Sequence, residues 1–265
     1  MKKITLPEIQ KKKKDGEKIT ILTAYDASFS KIIDQAGIDI ILVGDSLGMV
    51  FQGRRDTLSV TVEDMIYHSR AVARGIQRAH LVCDMPFMSY QASVDEAVKN
   101  CGKVMKQGKA ESIKLEGGAE LAPLVKRLVD AGIPVMGHIG LKPTHVHLMG
   151  GYKIQGRDTQ SSKKLLQDAK ALEKAGIYAL VLEGIPAPLA TKISKSLKIP
   201  TIGIGSGNGC DGQVLVIYDL LGLYQDIKPK FVRRYAQFGE EALKAVQHYI
   251  RDVKDQSFPN EKESF

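Results

Sequence analysis

The sequence predicts an α/β protein folded as a (β/α)8 barrel, and three observations carry that expectation. Eight short runs rich in Val, Ile and Leu lie near 19–24, 38–44, 80–83, 111–115, 133–137, 178–182, 199–203 and 213–217, bounded by Gly, Pro or Ser. That is the look of strands buried on both faces. Segments of helical periodicity separate most of them, which is the alternation of a parallel sheet covered by helices. Four apolar runs also end in a carboxylate: ILVGD at Asp45, HLVCD at Asp84, SIKLE at Glu116 and ALVLE at Glu183. Burying a strand requires no acid at its C-terminal end, so the recurrence gathers acids at the rim where barrels carry their active sites. A doubly wound open sheet is the alternative that the same alternation allows.

Taken in order, the N-terminal MKKITLPEIQKKKKDGEK is basic and lacks the apolar segment of a secretory signal. Its Lys11–Lys14 run reads as a solvated helix face or surface loop. Helices are expected over 94–110, 119–132 and 161–176. Several helical stretches finish in an AG pair, so Gly37, Gly132 and Gly176 serve as C-terminal caps before the next strand. Two connections exceed simple turns, HIGLKPTHVHLMGGYKIQGRDTQ (138–160) and GIGSGNGCDGQ (203–213). Long loops on the catalytic face act as lids or substrate clamps. The GSGNG run resembles a phosphate-cradling loop, with a plain turn as the other reading. The tail DQSFPNEKESF reads as a frayed end. No linker splits the chain, so residues 1–265 are taken as a single barrel domain.

Composition narrows the function classes. An apolar fraction of 43% supplies ample core and argues against disorder. No apolar run approaches the roughly 20 residues that span a bilayer, so a soluble, cytoplasmic protein without membrane attachment is expected. Cys83, Cys101 and Cys210 are scattered and form no CxxC pair, which indicates neither a zinc knuckle nor a disulfide framework. The net charge of +8 is spread along the chain, and without Trp or aromatic–basic interleaving it does not suggest nucleic-acid binding.

The rim residues divide by chemistry. Asp45 lies between Gly44 and Ser46, where backbone and hydroxyl donors can approach a small ligand; the bland reading is a helix cap. Asp84 precedes Met85-Pro86 and reads equally as a turn residue. Glu116 is followed by Gly117-Gly118 and has little capping reason to be acidic. Lys114 shares its face, since strand side chains alternate, and an inward Lys–Glu pair is costly unless it meets an opposite charge, a metal or a substrate anion. Three carboxylates offer hard oxygen donors and suit Mg²⁺ better than zinc, with Cys83, next to Asp84, read as a small core residue. Glu183, on the sixth strand, lies across from them and is available as a general base. His138 ends the fifth strand at the same rim. His145 and His147 lack a third ligand and are not read as a metal site.

These motifs coincide with a known family. TAYDASFSKIIDQAGID, the GDSLGMV run, DMPFMSY, IKLEGG, GHIGLKP, GGYKIQGR, LVLEGIP and IPTIGIGSGNGCDGQVLV stand in order from about residue 20 to 225. Together they resemble ketopantoate hydroxymethyltransferase. The resemblance implies a phosphoenolpyruvate/pyruvate-type barrel with an extra N-terminal helix, assembled as a homo-oligomer, commonly a decamer. It implies transfer of a hydroxymethyl group from 5,10-methylenetetrahydrofolate to 3-methyl-2-oxobutanoate, giving 2-dehydropantoate in pantothenate synthesis. By the same resemblance, Asp45 and Asp84 match magnesium ligands, and Glu116 matches the acid that completes the metal site. Ser46 and Lys114 match residues that hold the oxo acid, His138 lies beside it, and Glu183 matches the proton acceptor. Ser206 and Gly184 depart from the family's usual residues near the rim. Rival readings are another Mg²⁺-dependent oxo-acid lyase or mutase of this barrel group, and a non-catalytic anion- or nucleic-acid-binding barrel.

Overall fold

Eight parallel strands close on one another in chain order, and pairing of the first with the eighth (Ile19 with Gly212, Ile21 with Val214) excludes the open sheet. The computed structural model describes residues 2–226 and 229–265. Helix α1 (Leu6–Asp15) precedes β1 (Ile19–Thr23), α2 (Ala27–Gln35) and β2 (Ile40–Val43). Then come α3 (Leu47–Val50), α4 (Val62–Ala73), β3 (His80–Asp84), α5 (Val94–Gly108) and β4 (Ser112–Glu116). The barrel continues through α6 (Ala122–Asp130), β5 (Val135–Gly140), α7 (Val146–Met149), α8 (Thr159–Ala175) and β6 (Ala179–Glu183). It ends with α9 (Ala187–Ser196), β7 (Thr201–Ile204) and β8 (Gly212–Leu215). The chain divides into two compact units, Met1–Val216 with the barrel and Ile217–Phe265 with α10 (Ile217–Leu220) and α11 (Phe238–Lys254). Among the described residues no helix is long and apolar enough to cross a membrane.

The strands are apolar on both faces because each is covered twice. Ile19, Ile21, Ile40, Leu42, Val82, Met136, Val181, Ile202 and Val214 fill the interior, and Ile4 and Ile9 join the same cluster. Each buried aliphatic side chain contributes about 1.5–3 kcal/mol, so the interior is a packed core and not a channel. Gly37, Gly132 and Gly176 do sit at helix ends with positive φ, as the AG pairs predicted.

Two expectations are corrected. The Lys11–Lys14 run is not simply a solvated face: Lys12 Nζ lies 3.1 Å from Asp39 Oδ1, and Lys13 Nζ lies 2.7 Å from Asp211 Oδ2, with the lysine side chains only 22% and 14% exposed. Asp39 accepts from Thr20 N, and Asp211 accepts from Thr201 N, so these acids tie α1 to strand entrances. The tail is not frayed throughout, because Asn260 caps a 3-10 turn at Glu261–Glu263 by accepting from Lys262 N.

Inside the N-terminal end of the barrel lies a polar layer that the sequence reading did not anticipate. His80 Nε2 is 2.8 Å from Ser112 Oγ, which is 2.9 Å from the Tyr178 hydroxyl, and all three residues are buried. Burial pushes the His80 imidazole down from its ordinary 6.5 to about 4. The unfolded chain therefore takes up a proton that the folded one resists. The resulting stability is complete above pH 6.5, falls as pH drops through that value and levels off below about 4. We expect roughly 3 kcal/mol of acid destabilisation over this range, read by urea unfolding at several pH values. In His80→Gln that slope should shrink; an unchanged slope would assign it to other groups. Asp211→Ala should cost about 2–4 kcal/mol, since it strands Lys13 and the Thr201 amide, and a loss below about 1 kcal/mol would contradict the clamp.

Candidate functional site

Parallel register lines up the charged residues at the C-terminal mouth. Lys114 stands beside Asp84, His138 beside Glu116, and Glu183 beside Gly140. Asp45 follows β2 by two residues, while Asp84, Glu116 and Glu183 are the last residues of β3, β4 and β6. In the eight-strand circle β6 lies opposite β2, so Glu183 faces the barrel from the side opposite Asp45.

Lys114 is the centre of this group. Its Nζ is 2.8 Å from Asp84 Oδ1, 3.7 Å from Glu116 Oε1 and 3.2 Å from His138 Nδ1. Burial works against its charge, but Asp84, Glu116 and Asp45 outweigh burial and hold the ammonium well above its usual range. Glu116 is likewise kept ionised: burial opposes its charge, but the His138 hydrogen bond and Lys114 win and hold it far below the carboxylate range.

Asp45 behaves differently. Burial raises it well above the ordinary carboxylate range, and the charges of Glu116 and Asp84 add to the effect. Burial also raises Asp84, against the pull of Lys114. Neither carboxylate caps a helix. The N-cap of α3 is Ser46, and Asp45 Oδ2 is buried without a hydrogen-bond partner. Asp84 Oδ2 accepts from Asp45 N at 3.1 Å. Gly44 leaves room here, since a Cβ would stand 2.8 Å from Ser46 Oγ and the hydroxyl would have to turn away. Ser46 is half-buried, and its Oγ lies 2.9 Å from the Tyr25 hydroxyl.

The surplus of buried carboxylate and the orphaned Asp45 oxygen suit a hard divalent cation held by Asp45 and Asp84, with remaining positions filled by water or ligand oxygens. Glu116 is turned to other partners: its Oε2 accepts from Thr144 N at 3.1 Å and from Thr144 Oγ1 at 2.6 Å. Among the described residues no three His, Cys, Asp or Glu side chains are gathered to hold an ion by themselves. A cation here would therefore depend on oxygens brought by a ligand.

His138 links the two halves. Its Nδ1 is 3.4 Å from Glu116 Oε1 and its Nε2 is 3.2 Å from Glu183 Oε2. Burial and Lys114 push the imidazole down, but hydrogen bonds with Glu116 and Glu183 prevail and raise it to about 9. Glu183 is the most accessible of the four acids, with a side chain 17% exposed.

Four supports were missed in the sequence. The Tyr90 hydroxyl donates to Glu116 O at 3.0 Å and lies 3.2 Å from Glu116 N, pinning the end of β4. Thr144 ties the long loop after β5 to Glu116. Gly140 has φ +100°, and a Cβ there would meet Glu183 O at 2.2 Å, so only glycine lets β5 pass the end of β6. The Ser206 hydroxyl of the Gly-rich loop donates to Leu182 O at 2.8 Å and accepts from Ile185 N at 3.1 Å. It braces the exit of β6 around Glu183. The threonine could have been suspected from its place in a long rim loop; the tyrosine carried no signal.

Thr144→Ala should free the loop. Limited proteolysis within 141–158 is expected to accelerate several-fold while the barrel loses no more than about 1 kcal/mol. Unaltered cleavage would mean that Glu116 does not anchor the loop.

A family model described as ketopantoate hydroxymethyltransferase matches residues 3–261. A 3-methyl-2-oxobutanoate hydroxymethyltransferase of Anaeromyxobacter sp. (strain Fw109-5) is 55% identical over 268 residues, covering 100% of this chain and 88% of that protein. One of Enterococcus faecalis (strain ATCC 700802 / V583) is 55% identical over 263 residues, covering 99% and 96%. In structure the chain is similar to a phosphonopyruvate hydrolase solved with oxalate and Mg²⁺, with a TM-score of 0.64 and 13% identity, covering 99% and 93%. A 2,3-dimethylmalate lyase of the PEP mutase/isocitrate lyase superfamily gives 0.62 and 13%, covering 98% and 91%. At that identity the likeness concerns the fold alone.

Proposed function

The chain belongs to the ketopantoate hydroxymethyltransferase family, and on that premise we propose that it transfers a hydroxymethyl group from 5,10-methylenetetrahydrofolate to 3-methyl-2-oxobutanoate, forming 2-dehydropantoate. The observation that carries this reading is the separation of charges at the mouth. Asp45, Asp84, Glu116 and Lys114 cluster on β2–β4, while Glu183 stands across the barrel with His138 between them.

The substrate's C3 carries one proton of very low acidity, next to the keto group. Lys114, already charged, sits where the oxo acid's oxygens would lie and opposes the negative charge that develops as that proton leaves. Ser46 offers a hydroxyl to the same end of the substrate. Mg²⁺, held by Asp45 and Asp84 with Glu116 beside them, supplies further positive charge to the keto and carboxylate oxygens when bound. Glu183 removes the C3 proton from the opposite side. His138, with its Nε2 3.2 Å from Glu183 Oε2, stands beside that carboxylate and holds it in position. C3 bonds to the folate's methylene carbon and water adds its oxygen to the same carbon, while that carbon's two bonds to the folate nitrogens break, so tetrahydrofolate leaves with those nitrogens taking up the proton from C3 and the second proton of the water. Acids on both sides have distinct tasks: one set tolerates a cation, and the other remains free to take a proton. The family resemblance further supports a cytoplasmic homo-oligomer, a decamer, to be read by light scattering.

Formation of 2-dehydropantoate from the two substrates in the presence of Mg²⁺ tests the reaction, and its absence would sink this reading. Glu183→Gln should slow deuterium exchange at C3 by at least about a hundredfold while leaving oxo-acid binding intact. Wild-type exchange in that variant would remove Glu183 as the base. Asp84→Ala should weaken Mg²⁺-dependent oxo-acid binding, and an unaltered titration would remove Asp84 from the metal set.

A further inference from the structure

The N-terminal end of the barrel has a concavity that takes no part in the chemistry above. A hollow of about 470 Å³ opens there, lined by Lys3, Arg70, Arg74, Lys109 and Glu111 over Leu81. Four cations meet one carboxylate. Lys3 is already committed, with Nζ 2.8 Å from Glu111 Oε2 and donating to Ala79 O at 2.6 Å. Glu111 Oε2 also accepts from Leu81 N at 2.8 Å. The side chains of Arg70, Arg74 and Lys109 have no hydrogen bond or ion pair among the described residues, and all three residues are exposed.

These three cations converge from two helices. Arg70 and Arg74 are four apart at the end of α4, so they stand one above the other on one face. Lys109 caps the neighbouring α5 with φ 65°, in the left-handed region where glycine is favoured, yet the chain presents a long cation there. Helix-end electrostatics accounts for a cation at the close of each helix. It does not account for their meeting over a hollow that a third segment, the N-terminal Lys3, completes.

We propose that this hollow binds the phosphoryl group of a small phosphorylated metabolite. Two guanidinium forks are suited to phosphate oxygens, and Lys109 adds a compact charge. The concave, net-positive wall concentrates the field. Glu111 repels an anion at its own side, so the phosphoryl group belongs on the Arg70–Arg74 side, with the organic part over the half-buried Ala73 and Ile76. The volume falls within the range of small-molecule sites and exceeds what a bare phosphate fills.

Calorimetric titration of the full chain in Mg²⁺-free buffer tests this with AMP, inorganic phosphate and adenosine as probes. Saturable AMP binding is expected, with none for adenosine. The Arg70→Glu/Arg74→Glu double variant and, separately, Lys109→Glu should each weaken it by at least about tenfold. Glu183→Gln, a change at the more accessible side of the barrel mouth, should leave it unchanged. AMP binding more tightly than phosphate identifies the ligand as a phosphate ester, and equal affinity identifies free phosphate. The proposal is overturned if neither probe saturates, if both charge-reversed variants bind as well as wild type, or if Glu183→Gln abolishes binding. These readouts do not involve hydroxymethyl transfer, so they stand or fall apart from the catalytic reading.

Discussion

The buried ammonium of Lys114 is the constraint around which the mouth of the barrel is arranged. A lone lysine in that position would lose its proton or unfold the strand that carries it. It stays charged because the register of β3 on β4 brings Asp84 within 2.8 Å, with Glu116 one pleat above on the same strand. Each of those acids then needs its own neighbours. Glu116 acquires His138 and Thr144, and His138 in turn reaches Glu183. One inward lysine therefore organises residues from four strands and the long loop after β5. Asp45 is the member this network leaves with a buried, unpartnered oxygen, which is why cation chemistry points to it.

Carboxylates stand at both ends of the barrel, and their partners separate the two populations. At the N-terminal end Asp34, Asp39, Glu111 and Asp211 accept from backbone amides at or just before β1, β3 and β7, and the last three also pair with lysines. Every such contact satisfies a strand-entrance donor, so these acids serve the fold. At the C-terminal end the acids face one another, and repulsion is relieved only partly by Lys114 and His138. Stability alone would not produce that crowding.

Much of this was legible along the chain. The strands were recognisable because a doubly buried strand must be a short apolar run, and their ends were marked by glycine caps and acids. The rim acids were visible because an acid closing such a run has no packing role. Lys12 and Lys13 were misread because a run of lysines carries no sign of which face meets Asp39 and Asp211, both far away in sequence. The buried His80–Ser112–Tyr178 layer was equally hidden: its members come from β3, β4 and the residue before β6 and are ordinary residues individually. Tyr90 and Ser206 act through backbone atoms of other segments, a relation that leaves no local pattern.

Along the chain alone, the parallel α/β alternation, the strand ends that gather charge and the identity of the acids there were fixed, because hydrophobic period and strand-end charge are local properties; closure into a barrel came with the pairing of β1 and β8. Tertiary structure alone decided how those acids differ. Register chose Asp84 as the partner of Lys114 and His138 as the bridge from Glu116 to Glu183, and burial separated the raised Asp45 from the ionised Glu116. A carboxylate's state depends on which charges lie within a few ångströms and on the access of water, and neither is set until the barrel closes.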